Sequence, residues 1–408
     1  MLNRAIRNSI CILISWVLFI PTLNAQFCGN RLDYIPDSSR IDDFPIRYVR
    51  INLHVIADAQ GAYNFDDSLS IQFFTSLIDI ANYKLRVKTS MNLPLHNTVP
   101  NIPCRYQYQL ASSINDATVP AIYLHMETNP MYQFFNSAHT TANNVYSTFW
   151  YDTYGIHKGD ELNVFFLSHH PDSLNSRTYS AKDQGVGPAK YVLMANAFQL
   201  YQQNIAKGMS KNDAIVNTAS LTANLLNHEI GHSLGLMHTW NGGDGCDDTP
   251  MNAGCWYSND PANPCSNNMM DYNAAQSAIT PCQLSIIHSN FADKKSSQYQ
   301  LLAPIWCEKK DSLKIIIYPN EHIVWSGSKD LEGDIIIRNK ASLEIKCIVS
   351  LPKNAKVVLY PEASLILNGG LITNTCSEKW KGIQYMKKRK LKAKVVYLAG
   401  GRIENYIE

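Results

Sequence analysis

Polar and apolar residues alternate from Tyr48 to Ile56 (YVRINLHVI), the period of two that predicts a strand. Leu69, Phe73, Leu77 and Ala81 then recur every four residues and predict an amphipathic helix over Asp66 to Lys88. Short apolar runs at Ala121–Met126, Leu162–Leu167 and Tyr191–Ala195 predict further strands. Leu226, Ile230 and Leu234 fall at helical spacing within Thr218 to Leu234, and that stripe is most simply core. Strand, helix, strands and helix in that order predict a twisted, mostly parallel sheet with helices packed on it.

Beyond Cys307 the pattern shortens. Leu313–Tyr318, Asp334–Ile337, Ser342–Ile345, Lys356–Tyr360 and Ser364–Leu367 are brief β runs separated by turns. Ala341-Ser342-Leu343 recurs as Ala363-Ser364-Leu365, a period of 22. Gly369-Gly370-Leu371-Ile372-Thr373-Asn374 recurs loosely as Gly400-Gly401-Arg402-Ile403-Glu404-Asn405. Such spacing fits coils of a parallel β-solenoid, with an ordinary β-sandwich as the alternative. Lys387 to Lys394 holds six basic residues and reads as a solvated face.

At 408 residues the chain is too long for one compact domain and suits two or three. An apolar fraction of 45% is ample for a buried core and argues against extensive disorder. Residues 1–25 have the layout of a secretory signal: Arg4 and Arg7, an apolar run of eleven from Ile10 to Ile20, and cleavage between Ala25 and Gln26. Eleven apolar residues fall short of the roughly 20 that span a bilayer, and no other stretch is apolar enough. Without Arg4 and Arg7 the 36 basic residues become 34, equal to the 34 acidic ones. That balance gives no reason to expect nucleic acid or an anionic membrane as partner. Residues 26–45 are polar and aperiodic, with Asp33, Asp37, Asp42, Asp43 and two prolines, and read as a short pro-segment or linker.

The densest chemistry lies in His228-Glu229-Ile230-Gly231-His232-Ser233-Leu234-Gly235-Leu236-Met237-His238. On a helix His228 and His232, four residues apart, share a face and can reach one metal ion. Glu229, one position along, can reach water at that ion without being a ligand. Gly235 can take the left-handed conformation that ends a helix and turns His238 back as a third ligand. Three protein ligands leave a fourth tetrahedral position open, the pattern of a single catalytic zinc. The remaining histidines, His54, His125 and His288 among them, lie outside any metal spacing and read as surface or hydrogen-bonded side chains.

Ten cysteines, nine without Cys11 of the signal, fit an oxidising compartment, and Cys246, Cys255, Cys265 and Cys282 crowd the region after the histidines. The extended histidine motif is followed by His238-Thr239-Trp240, Asp247-Asp248-Thr249-Pro250, those four cysteines and Asn268-Met269-Met270-Asp271-Tyr272. This set resembles the pappalysin (cytophagalysin) family of metzincin zinc metalloproteases. The likeness is tight over His228 to Cys282, loose by strand order from Tyr48, and absent from the last hundred residues.

The resemblance implies that His228, His232 and His238 bind zinc, that Glu229 is the general base, and that Met270 forms an apolar turn beneath the metal. It implies that Tyr272 swings its hydroxyl toward the developing oxyanion, and that the disulfides are Cys246–Cys265 and Cys255–Cys282. Calcium after the zinc motif is a further family trait. Asp244, Asp247, Asp248 and Thr249 supply oxygen donors for it, an acidic solvated turn being the alternative. Cys28 in Phe27-Cys28-Gly29 sits where a thiolate could block the zinc and hold a precursor latent, relieved by proteolysis near Arg40 or Arg47; a Cys28–Cys104 disulfide is the rival. Pro281 stands where members selective for basic residues carry an acid, so that preference is not implied.

The expected fold is α+β. A metzincin-like catalytic domain over 46–305 has a twisted, mostly parallel sheet, an active-site helix and a loop-rich, disulfide-stapled lower half. An all-β domain over 312–408 follows. The expected function is a secreted or cell-surface zinc endopeptidase acting on proteins or peptides. The second reading is a surface binding or adhesion protein with a vestigial zinc site.

Overall fold

A computed structural model describes residues 28–407 apart from 60–63, 94–97, 128–147, 169–183, 188–189, 196, 240–242, 250–264, 274 and 388–390. The signal expected over residues 1–25 and the cysteine at 255 lie outside the described residues. The molecule is mixed α/β with parallel sheets. Its first sheet contains β1 (Arg47–Asp58), β2 (Tyr106–Leu110), β3 (Ile122–Glu127), β4 (Leu162–Leu167), β5 (Gln184–Val186) and β6 (Tyr191–Ala195). The order is β2-β1-β4-β6-β5, with β3 continuing alongside β1 beyond β2. Among the described strands every pairing is parallel except that of β5 with β6.

Both faces of this sheet are covered, which is why β4, LNVFFL, is buried along its whole length and apolar except for Asn163. Ile51, Leu53, Val55, Val164 and Phe166 face the helices, and Ile56, Phe165, Leu167 and Tyr191 meet Trp150 on the other side. The helix Asp67–Arg86, capped by Asp66, packs against the long helix Lys211–Ser233. Lys84 Nζ donates to the Ser220 carbonyl and to Asn224 Oδ1, so a charged side chain pins the two together. Ser210 caps the long helix by accepting from the Asp213 N–H.

The C-terminal region is a three-sided parallel solenoid, not a sandwich. Among the described residues its strands stack in three parallel sheets, each of four strands. The 22-residue echo is structural: Ser342 pairs with Ser364 and Leu343 with Leu365. The glycine echo is too, since Leu371 pairs with Arg402. Asn320, Lys340 and Glu362 each adopt positive φ at the same corner of successive coils. Pro319 and Pro361 precede two of them, as in type II turns. Ile317, Ile337 and Leu359 form one fully buried ladder within the coil stack.

Residues 28–45 are folded onto the rest of the molecule. Two 3₁₀ turns, Arg31–Tyr34 and Ser38–Asp43, are capped by Asn30 and Asp37. Polar caps and ion pairs hold such turns in place of an apolar face, so no periodicity marks them in the sequence. The expectation that Cys28 is a latency thiol, or pairs with Cys104, is corrected: Cys28 is bonded to Cys347, and Cys104 is a buried free thiol. Gly29 has φ +91 and lies against the Ser326 carbonyl, where a Cβ would sit only 2.7 Å away; that closeness brings Cys28 to the solenoid. A second disulfide, Cys307–Cys376, ties the end of the first lobe to the solenoid.

Candidate active site

The helix Lys211–Ser233 stops at Leu234, and Gly235 at φ +103 reverses the chain. Leu236 N–H donates to the Gly231 carbonyl and Gly235 N–H to the His232 carbonyl, the paired bonds of a Schellman cap. The reversal brings His238 back over the helix. The Nε2 atoms of His228, His232 and His238 lie 3.2, 3.0 and 3.2 Å apart around one point.

Ring tautomers follow from the partners. His228 Nδ1 is 2.7 Å from the Met269 carbonyl and His232 Nδ1 is 2.9 Å from the Leu236 carbonyl. A carbonyl only accepts, so both rings carry their proton on Nδ1 and turn Nε2 lone pairs toward each other. Facing lone pairs repel unless a cation sits between them. Burial lowers His228 to about 3 and His238 to about 4, with neighbouring imidazoles adding to it, and burial also lowers His232. Neutral rings are what a metal needs. An ion with nitrogens at about 2.0–2.1 Å in a tetrahedron separates them by about 3.3 Å, close to these spacings. The three histidines can therefore hold a metal ion.

Glu229 is 4% exposed, and burial pushes its carboxyl up to about 8, against the opposing hydrogen bond from Gly187 N–H. Gly187 was not singled out in the sequence. It follows β5 so closely against the helix that a Cβ would stand 2.1 Å from the Glu229 carbonyl oxygen. Its only sequence signal is the Gly185-Val186-Gly187-Pro188 punctuation. Met270 is fully buried and lies under Gly231, where a Cβ would meet its Sδ at 2.6 Å. Tyr272 is half exposed, its ring centroid 4.8 Å from that of His238 and 6.2 Å from that of His228. The turn is held by Asn268, whose Oδ1 accepts from Met270 N–H, and by Gln276, whose Nε2 donates to the Asp271 carbonyl.

The loop after the histidines departs from the expectation in two ways. Cys246 is bonded to Cys282, which excludes both Cys246–Cys265 and Cys255–Cys282. The reason is the helix Pro281–Ala292, whose first turn carries Cys282 to the Gly245 corner. Cys265 is itself disulfide-bonded.

Among the described residues Asp244, Asp247 and Asp248 form no group of three ligand atoms close enough to share one ion. Asp244 accepts from Cys246 N–H, Thr249 Oγ1–H and Gln283 Nε2–H, and Asp248 accepts from Thr280 Oγ1–H and Cys282 N–H. Asp247 is exposed. These carboxylates brace the loop to the helix start with oxygens already met by donors, which does not fit a calcium cage. Cys246, Asp248 and Cys282 also lie close together, but the two sulfurs are bonded to each other and are not thiolates.

No protein-family model matches the chain, and no curated protein matches it. Solved structures similar to it include mirolysin in complex with a compound, at 15% identity and TM-score 0.40, covering 63% of this chain and 96% of that one. Mature mirolysin of Tannerella forsythia with a cleaved peptide is 16% identical, at TM-score 0.40, over 63% of this chain and 95% of its own. A promirolysin point mutant from the same organism is 15% identical, at TM-score 0.39, over 67% and 86%.

Proposed function

We propose that the chain is an exported, zinc-dependent endopeptidase hydrolysing peptide bonds of proteins. The observation that carries this reading is the meeting of three Nε2 lone pairs at one point, with Glu229 adjoining the first ligand. His228, His232 and His238 would hold the ion. Zinc bound there supplies Lewis acidity that brings the ionisation of water near neutral pH.

Glu229 takes the proton of the attacking water, and later gives it to the departing amine nitrogen. Tyr272, beside His238, donates its hydroxyl hydrogen to the carbonyl oxygen as it gains charge. β5 ends the sheet order, and an extended peptide laid along its outer edge would pass Gly187 and Glu229. Export is supported by the Cys28–Cys347, Cys246–Cys282 and Cys307–Cys376 disulfides. Among the described residues no helix is long and apolar enough to cross a membrane.

The test is cleavage of a peptide library by the secreted protein. Chelation abolishes it and zinc restores it. Glu229→Gln keeps one zinc per chain yet loses on the order of 10²-fold or more of activity. Cleavage indifferent to the chelator, or near-normal in the Glu229→Gln enzyme, overturns the reading.

A further inference from the structure

Residues 28–45 have no part in the chemistry above, yet they bridge the two lobes. At one end Cys28 is bonded to Cys347 of the solenoid, and Tyr34 Oη donates to the Cys28 carbonyl while accepting from Ser328 N–H. Further along, Arg40 forms a two-pronged pair with Asp43 and reaches Glu321, while Asp43 accepts from Trp325 Nε1. Between these solenoid anchors Arg31 points the other way. Its Nη2 donates at 2.8 Å to the carbonyl of Gly245, on the loop that follows the histidine motif.

From that loop a chain of hydrogen bonds leads to the floor of the metal site. Gly245 follows Asp244, whose Oδ2 accepts from Gln283 Nε2 at 3.1 Å. Gln283 grips Asn268 through both amide atoms, at 2.9 and 3.1 Å. Asn268 Oδ1 accepts from Met270 N–H at 2.8 Å, and the neighbouring Met269 carbonyl holds the Nδ1 proton of His228. Gln283, Asn268 and Met270 are each at most 1% exposed, so water offers these groups no substitute partner.

We infer that residues 28–45 are a strap kept in the mature protein, and that Arg31 is a positioning residue coupling the solenoid to the turn that orients His228. The inference rests on the endopeptidase reading for its consequence, though not for its geometry. It replaces release of a pro-segment at Arg40 or Arg47. Arg40 is committed to Asp43 and Glu321, and Arg47 is 8% exposed at the start of β1. Cleavage ahead of Cys28 leaves every strap contact intact.

The full secreted chain tests this in three ways. Intact mass and N-terminal sequencing of the active form find a start ahead of Cys28; an active form beginning after Arg40 or Arg47 overturns the strap. Competition with a chelator shows zinc bound about 10-fold more weakly by Arg31→Ala, the scale seen when an outer partner of a metal ligand is lost. Arg31→Lys, which keeps a donor for the Gly245 carbonyl, restores most of that affinity.

The paired change Cys28→Ser with Cys347→Ser gives a similar loss, and adding Arg31→Ala to it costs little more, because both cut the same connection. Hydrogen exchange on metal-free protein rises at 266–271 and 281–285 in both variants. Wild-type exchange and zinc affinity in Arg31→Ala overturn the coupling even if the enzyme cleaves peptides. Lack of zinc-dependent cleavage by the unaltered chain overturns the function instead, and leaves the exchange result to decide the coupling.

Discussion

Gly231 carries a constraint that ligand spacing alone hides. Alanine is the better helix former by about 1 kcal/mol, so Gly231→Ala in an isolated helix would be a gain. Here the added methyl meets Met270 Sδ at 2.6 Å, and Met270 is fully buried with its N–H held by Asn268. The side chain cannot retreat without shifting the turn, and the turn holds His228 through the Met269 carbonyl. We expect Gly231→Ala to lower zinc affinity by about 10-fold or more, read by chelator competition, and to lower the melting temperature instead of raising it. A melting temperature above that of the parent would show that the turn gives way easily.

At this scale the ligands and Glu229 were legible because their spacing in eleven residues is the chemistry. Gly187 and Gly231 were not, since their role is the room they leave for residues distant in sequence. The cysteine pairing was equally out of reach: four cysteines allow three pairings, and family precedent selected one that the Cys246–Cys282 bond excludes.

The same contrast holds among the elements. The strands over Leu162–Leu167 and Tyr191–Ala195 match their apolar runs residue for residue, and β1 extends its predicted core to Arg47–Asp58. The helix Pro281–Ala292 went unpredicted although its start is written plainly. Thr280 caps it, Pro281 fills the first turn and Gln283 completes the capping box. The four nearby cysteines drew that stretch toward a loop reading.

Asp248 reinforces this helix start by accepting from Cys282 N–H and Thr280 Oγ1–H. Asp248→Ala should therefore cost about 1–2 kcal/mol, the range for a lost N-terminal cap, seen as a lower denaturation midpoint. Added calcium should leave both the parent and the variant unchanged. A calcium-dependent rise in the parent's midpoint, lost in the variant, would return these carboxylates to a metal role. The solenoid's period was visible where successive coils keep 22 residues. It faded where the last coil lengthens, with Leu371 opposite Arg402 instead of a residue 22 further on.

For the whole molecule, the buried histidines set how it responds to acid. His288 donates through Nε2 to the Cys104 carbonyl inside the first lobe, and burial lowers it from 6.5 to about 4. His54 lies fully buried under the sheet and is lowered to about 3, burial acting first and His125 second. The side-chain oxygens of Asn52 and Asn163 fix its Nε2 proton, because their amide nitrogens are spent on the Ile156 carbonyl and the Glu161 side chain or carbonyl.

In the unfolded chain such rings take a proton as the pH falls through about 6.5, whereas the native protein resists until about 4 or lower. Across that window the unfolded state binds more protons, so stability falls as the pH drops and is flat above it. For His288 alone the loss approaches the order of 3 kcal/mol by pH 4. In metal-free protein the histidine contribution to the melting temperature should therefore be lost steadily as the pH falls from about 6.5 toward 4.5, against the opposite trend from Glu229, whose raised carboxyl takes its proton in the native state below about 8. His288→Asn, which retains a donor but cannot gain the charge, should make that loss shallower while lowering stability at pH 7. An equally steep loss in that variant would place the acid sensitivity in other groups.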